Sequence, residues 1–171
     1  MDDYQIERAI RRACEARLPD LSLPIPFHLD TFVAQIAARR KRPIERFGLP
    51  LGGGLPGMWV ETHDQDLIYY ESRTAPPHQE QIILHELGHI VLGHRGIALP
   101  RTVSLGDLTL ADLRALHDAS YTWEQEYAAE TLATLIGQVA QRTRVTGTAV
   151  VDPHTIRILR VLDSLEGGLH G

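Results

Sequence analysis

The strongest constraint on this chain is one short run, His85-Glu86-Leu87-Gly88-His89, set inside a stretch that is apolar on nearly every side. Ile82, Ile83 and Leu84 precede it, and Ile90, Val91 and Leu92 follow. Such a segment is predicted to be a buried helix. Two imidazoles and a carboxylate inside a buried helix are unfavourable unless something satisfies them. On a helix, positions i and i+4 lie one above the other, so His85 and His89 can aim ring nitrogens at one ion. Glu86 follows the first histidine directly and leans over the same edge without binding the ion. The spacing therefore predicts a hydrolytic zinc site in which Glu86 is the general base toward a metal-activated water. The alternative is a pair of hydrogen-bonded core histidines beside a buried glutamate.

A catalytic site of this type takes three protein ligands and leaves one position open. A well-known extension places a glycine and then a third histidine at three-residue steps after the second histidine. Leu92 and Arg95 occupy those positions here, so that route fails. His94 falls on a different helix face and reads as a helix-end histidine. A second route is the helix opened by Thr122-Trp123-Glu124-Gln125, which has the form of a capping box. That helix carries Glu126 and Glu130 one turn apart, with Ala128, Leu132, Leu135, Ile136 and Val139 as its apolar side. Glu126 would complete the metal set, and Glu130 would accept the free N–H of a ligand histidine. Both could instead be solvated glutamates that suit the helix dipole. Asp107, Asp112, His117 and Asp118 stay open as third ligands. Tyr121, Tyr127, His117 and His154 are candidate oxyanion donors. The ion expected is Zn²⁺, with Mn²⁺ or another divalent ion compatible with the same donors.

The remaining pattern predicts an α+β fold, a mostly helical single domain with a small antiparallel sheet beside the motif helix. At 171 residues one domain is expected. It divides into an N-terminal helical segment 1–47, a catalytic core 57–143 and a C-terminal helix 152–166. Helices are expected over 3–17 and from an Asp30 cap to about Arg40. Met58–Thr62 and Leu67–Glu71 read as a hairpin, whose exposed edge could hold an extended peptide. The motif helix should start near His78 or Gln79, 97–106 should be loop, and Gly106–Leu116 a short helix. The run Arg39-Arg40-Lys41-Arg42 reads as a solvated helix C-terminus. A net charge of −5 gives no sign of direct nucleic-acid binding. Cys14, the single cysteine, excludes an internal disulfide and fits a reducing compartment. With no signal peptide or apolar span legible, a soluble cytoplasmic protein that does not enter membranes is expected.

These residues resemble the ImmA/IrrE family of metallopeptidases, in particular actinobacterial and phage-borne members, from about Gly57 to Ile136. The stretches that carry the likeness are 79–89, around His-Glu-Leu-Gly-His, and Glu126-Tyr127-Ala128-Ala129-Glu130-Thr131-Leu132-Ala133. Two positions depart from the family pattern: Ala128 stands where a second glutamate is usual, and Glu130 where Asp or Asn is usual. The first departure suggests a lost surface contact, the second a longer outer-shell side chain. The resemblance implies a stand-alone zinc endopeptidase whose protein substrate is a DNA-binding, helix-turn-helix repressor, and hence an indirect role in transcription regulation. A zinc-binding regulator that cuts nothing, or one partner of a toxin–antitoxin-like pair, is the rival expectation.

Overall fold

The computed structural model describes residues 2–52, 54–99 and 105–146, without the side chains of 105, 145 and 146. Five α-helices and three strands follow in the order α1 (Asp3–Arg17), α2 (Leu29–Arg40), β1 (Ile44–Leu49), β2 (Gly57–Glu61), β3 (Asp66–Glu71), α3 (Pro76–Leu92), α4 (Leu110–Ser120) and α5 (Trp123–Thr146). Short 3₁₀ turns occupy Leu18–Leu21 and Leu105–Asp107. The α+β expectation holds. The expected C-terminal helix 152–166 and His154 lie outside the described residues.

The sheet is mixed rather than antiparallel. Its order is β1-β3-β2, with β2 antiparallel and β1 parallel to β3. Period-two alternation gives the sheet two unlike faces. Trp59 and Ile68 join the main core with α1, α2, α3 and α5. Met58 and Val60 join a smaller core with Leu55, Ile97 and Leu113, the buried anchor of α4. Each such side chain contributes about 1.5–3 kcal/mol when fully buried. The larger cluster therefore fixes α3 between the sheet and α5, and the smaller one hangs α4 over the opposite sheet face.

Local chemistry sets most boundaries. Asp2 caps α1 by accepting the Gln5 N–H at 2.8 Å. Along α1, Cys14 is buried, whereas Ala9 and Ala13 face solvent. His28 rather than Asp30 is the N-cap of α2; Asp30 sits inside the first turn and accepts from Arg46. Pro76 and Pro77 lie within α3, because their missing N–H groups fall where no intrahelical acceptor exists. α4 begins later than expected because the Thr109–Asp112 pair closes a capping box there.

The basic run is solvated only in part: Arg39 and Lys41 are exposed, whereas Arg40 and Arg42 turn inward. Arg40 donates to the fully buried Asp66 carboxylate at 2.9 Å, and Arg42 Nε stands 3.4 Å from it. Arg42 also donates to the carbonyls of Thr62, His63 and Gln65, so it clamps the turn between β2 and β3. Trp59 Nε1 donates to the other oxygen of the Asp66 carboxylate at 3.0 Å.

Candidate metal centre

α3 is buried from Ile82 to Ile90 apart from the half-buried His85, and His89 and Glu86 are 0% and 1% exposed. Facing it is the first half of α5, whose start is set by a reciprocal pair. The Thr122 N–H donates to Gln125 Oε1 at 3.0 Å, and the Gln125 N–H to Thr122 Oγ1 at 3.3 Å. The two helices approach closely at Gly88, where an added Cβ would stand 2.9 Å from the Ala129 carbonyl oxygen. Any larger residue would hold the helices apart. Glu126, one turn before Ala129, is thereby delivered to the histidines.

His85, His89 and Glu126 each offer one ligand atom, and these atoms lie within 4.8 Å of one another. His85 Nε2 is 3.1 Å from His89 Nε2 and 3.2 Å from Glu126 Oε2, and His89 Nε2 is 3.7 Å from Glu126 Oε1. Donors about 2.0–2.1 Å from one tetrahedral ion stand about 3.3 Å apart. The spacing thus fits a divalent ion. Glu126 Oε1 is buried and lacks a hydrogen-bond partner, which fits an atom reserved for a cation. Two imidazoles and a carboxylate suit zinc and several other first-row ions.

Hydrogen bonds behind the donors orient them. Glu130 Oε2 stands 3.2 Å from His85 Nδ1, so that nitrogen carries the proton and Nε2 is free to face the ion. His89 Nδ1 lies 2.9 Å from His94 Nδ1. His94 does lie at the helix end, but the turn after α3 folds it back onto His89, a pairing the sequence does not reveal. A histidine five residues past the second ligand was the only available signal. Of the other candidates, Asp112 is occupied by the α4 cap, and Asp118 stands 3.7 Å from His117. None joins the donor group.

Electrostatics in the metal-free protein follow this arrangement. Burial pushes His85 down, but hydrogen bonds to Glu126 and Glu130 outweigh it and hold the ring at about 10. Burial and then the charge of His85 press His89 down to about 3, so it stays neutral. Burial raises Glu86 to about 7, against the pull of His85. The Trp59 N–H bonds to one side of the Glu86 carboxyl, and its Oε2 is left without a partner. A carboxyl with that value and a free oxygen can take up and return a proton near neutrality.

A cavity of about 250 Å³ opens in front of the donors, lined by Pro56, Ile82, Glu86, His117 and Glu130 among others. His117 enters it from α4. Tyr121 lays its ring on His89 with centroids 3.8 Å apart, and its buried hydroxyl has no partner. Tyr127 stacks on Trp123 instead. Along the β2 edge, Ile97 already uses the Trp59 carbonyl and the Glu61 N–H, at 2.9 and 3.0 Å. That part of the β2 edge is therefore closed to an extended peptide.

With this geometry in hand, the family comparison is decisive. The IrrE N-terminal-like domain (Peptidase M78) matches residues 55–136. Over those residues the chain belongs to the ImmA/IrrE metallopeptidase family. No curated protein matches the chain. The matched span includes β2, β3, α3, α4 and the first half of α5, and therefore every donor just described. β1 and the first two helices lie outside it. No helix among the described residues is long and apolar enough to cross a membrane.

Proposed function

We propose that the protein is a zinc-dependent endopeptidase in which His85, His89 and Glu126 hold the ion and Glu86 is the catalytic base. The observation that carries this reading is the convergence of the three donors beside a buried, partly unsatisfied Glu86. When bound, the ion supplies Lewis acidity, making water acidic near neutrality and polarising a scissile carbonyl. Glu86 takes the proton of the attacking water at its free oxygen and hands it to the leaving amine. Trp59 holds the opposite side of that carboxyl, so the free oxygen keeps its aim. Glu130 and His94 fix the rings of His85 and His89. His117, on the cavity wall, and Tyr121, whose buried hydroxyl has no partner, are the candidate donors for the developing oxyanion. The natural substrate in this reading is a helix-turn-helix repressor or similar regulatory protein, supported by family membership, and the site of action is the cytoplasm.

Metal content and cleavage measured together test the assignment. Wild type should carry about one zinc per chain. Glu126→Ala should lose it, and Glu86→Gln should keep it while cutting no protein. Cleavage by purified Glu86→Gln would refute the base, and zinc retained by Glu126→Ala would refute the third ligand.

A further inference from the structure

The cavity before the metal donors does not end there. It shares Pro56, His78 and Ile82 with a second recess of about 270 Å³, walled by Leu55, Pro56 and Ile82 and floored toward Thr74. In the other direction it shares Gln81 and Glu130 with a wider trough of about 750 Å³ between α3 and α5. That trough is lined by Pro77, Glu80, Thr134, Gln138, Gln141 and Arg144, so its apolar surface is Pro77 and the methylene stems of polar side chains, with no aliphatic or aromatic residue. One groove therefore runs past the metal donors, apolar on the strand side and polar on the helix side.

The apolar recess is a built feature. Its rim is the glycine-rich turn before β2, which resembles no phosphate-binding loop. Gly52 and Gly54 both have positive φ, 57° and 90°, and no atom comes within 4 Å of where a Gly54 side chain would begin. Side chains are thus missing from the mouth of the recess. Glu71, on the last position of β3, holds that turn by accepting from the backbone N–H groups of Gly52 and Arg73. Leu55 is 2% exposed and belongs to the small core, so the wall behind the recess is fixed.

We infer that this recess is the main specificity pocket of the peptidase and takes one medium or large apolar side chain directly flanking the scissile bond. This rests on the peptidase reading above. A substrate lying in the groove places one neighbour of the reacting carbonyl against Leu55, Pro56 and Ile82. The neighbour on the far side meets Pro77 among amide, hydroxyl and charged side chains, with no aliphatic or aromatic wall. Apolar burial is rewarded more on the first side, so the preference is one-sided. Cleavage sites would then read as apolar on one side and polar or indifferent on the other. In a folded protein such a residue is normally buried, which points to an exposed or partly unfolded segment of the target.

The test is an equimolar peptide library of mixed sequence, incubated with zinc-loaded wild type and read by mass spectrometry, with Glu86→Gln as the blank. Leu, Met or Phe should be enriched at one flanking position by at least about tenfold over Ala, Asp or Lys, since even one lost methylene in such a pocket is worth about 10-fold or more. Thr74→Trp, which fills the recess from an exposed turn, should shift that position toward small residues while zinc content stays unchanged. Cleavage without a one-sided apolar preference, or with one that Thr74→Trp leaves intact, overturns the pocket and leaves the peptidase standing. No cleavage above the blank overturns the peptidase reading and the pocket with it.

Discussion

Gly88→Ala is the perturbation that most directly probes how the metal centre is assembled. Its methyl would lie 2.9 Å from the Ala129 oxygen and 3.2 Å from the Ala129 Cα. Relaxed carbon contacts need about 3.5–4.0 Å, so α5 must retreat by roughly 0.5 Å. Two stability effects then oppose each other. Alanine gains about 1 kcal/mol in a helix interior, and overpacking loses about 1–3 kcal/mol. The net change is small, at most about 2 kcal/mol, or roughly 4–8 °C in melting temperature for a chain of this size. Metal affinity is far more sensitive. Glu126 rides with Ala129, and ligand distances tolerate only about ±0.2 Å. A loss of about 10–100-fold in zinc affinity follows, the range seen when supporting groups of metal sites are disturbed. Competition against a chromophoric chelator measures it. The control is Gly137→Ala on α5, whose methyl would meet only the end of the flexible Gln81 side chain at 3.3 Å. That variant should gain up to about 1 kcal/mol and bind zinc normally. Affinity for Gly88→Ala within twofold of wild type would refute the argument that the helix approach sets the donor geometry.

Further outcomes follow from the charges. Asp66→Asn removes the negative charge that Arg40 and Arg42 share and turns one of its two acceptor oxygens into a donor, and should lower stability by about 1.5–3 kcal/mol; urea unfolding with an unchanged midpoint would contradict this. In the metal-free protein His85 sits at about 10, so zinc binding at neutral pH must displace a proton. Calorimetry in buffers of different ionisation heat should show about one proton released per ion, and affinity should rise about tenfold per pH unit below that value. Absence of proton release would place the charge elsewhere. Glu71 is lowered from 4.5 to about 2, first by the Gly52 N–H and then by Arg73. The native state therefore favours its ionised form, a stabilisation present above the ordinary value and lost as pH falls through about 2. Glu71→Gln should melt below wild type at pH 6, and the gap should close by pH 2; a gap independent of pH would refute the role of the carboxylate.

What the sequence determined by itself was local in character. The apolar run around His85 and His89 specified a buried helix, and helical periodicity alone put both rings on one edge with Glu86 beside them. Thr122 and Gln125 marked the start of α5, because a capping box is satisfied within one turn. Alternation marked β2 and β3 to within a residue. Three features came only from tertiary structure. Sequence favoured Glu126 but left the acidic and histidine candidates of 107–118 open, since that choice depends on the close approach of Gly88 to Ala129, far apart along the chain. It showed no strand at 44–49, because β1 is a half-exposed edge with imperfect alternation, and its parallel partner lies beyond β2. It also took Arg40 and Arg42 for solvated cations, when a single buried carboxylate, Asp66, turns both inward. Periodicity and caps are properties of neighbours in sequence. Donor convergence, strand order and the counter-ion of a buried charge are properties of neighbours in space.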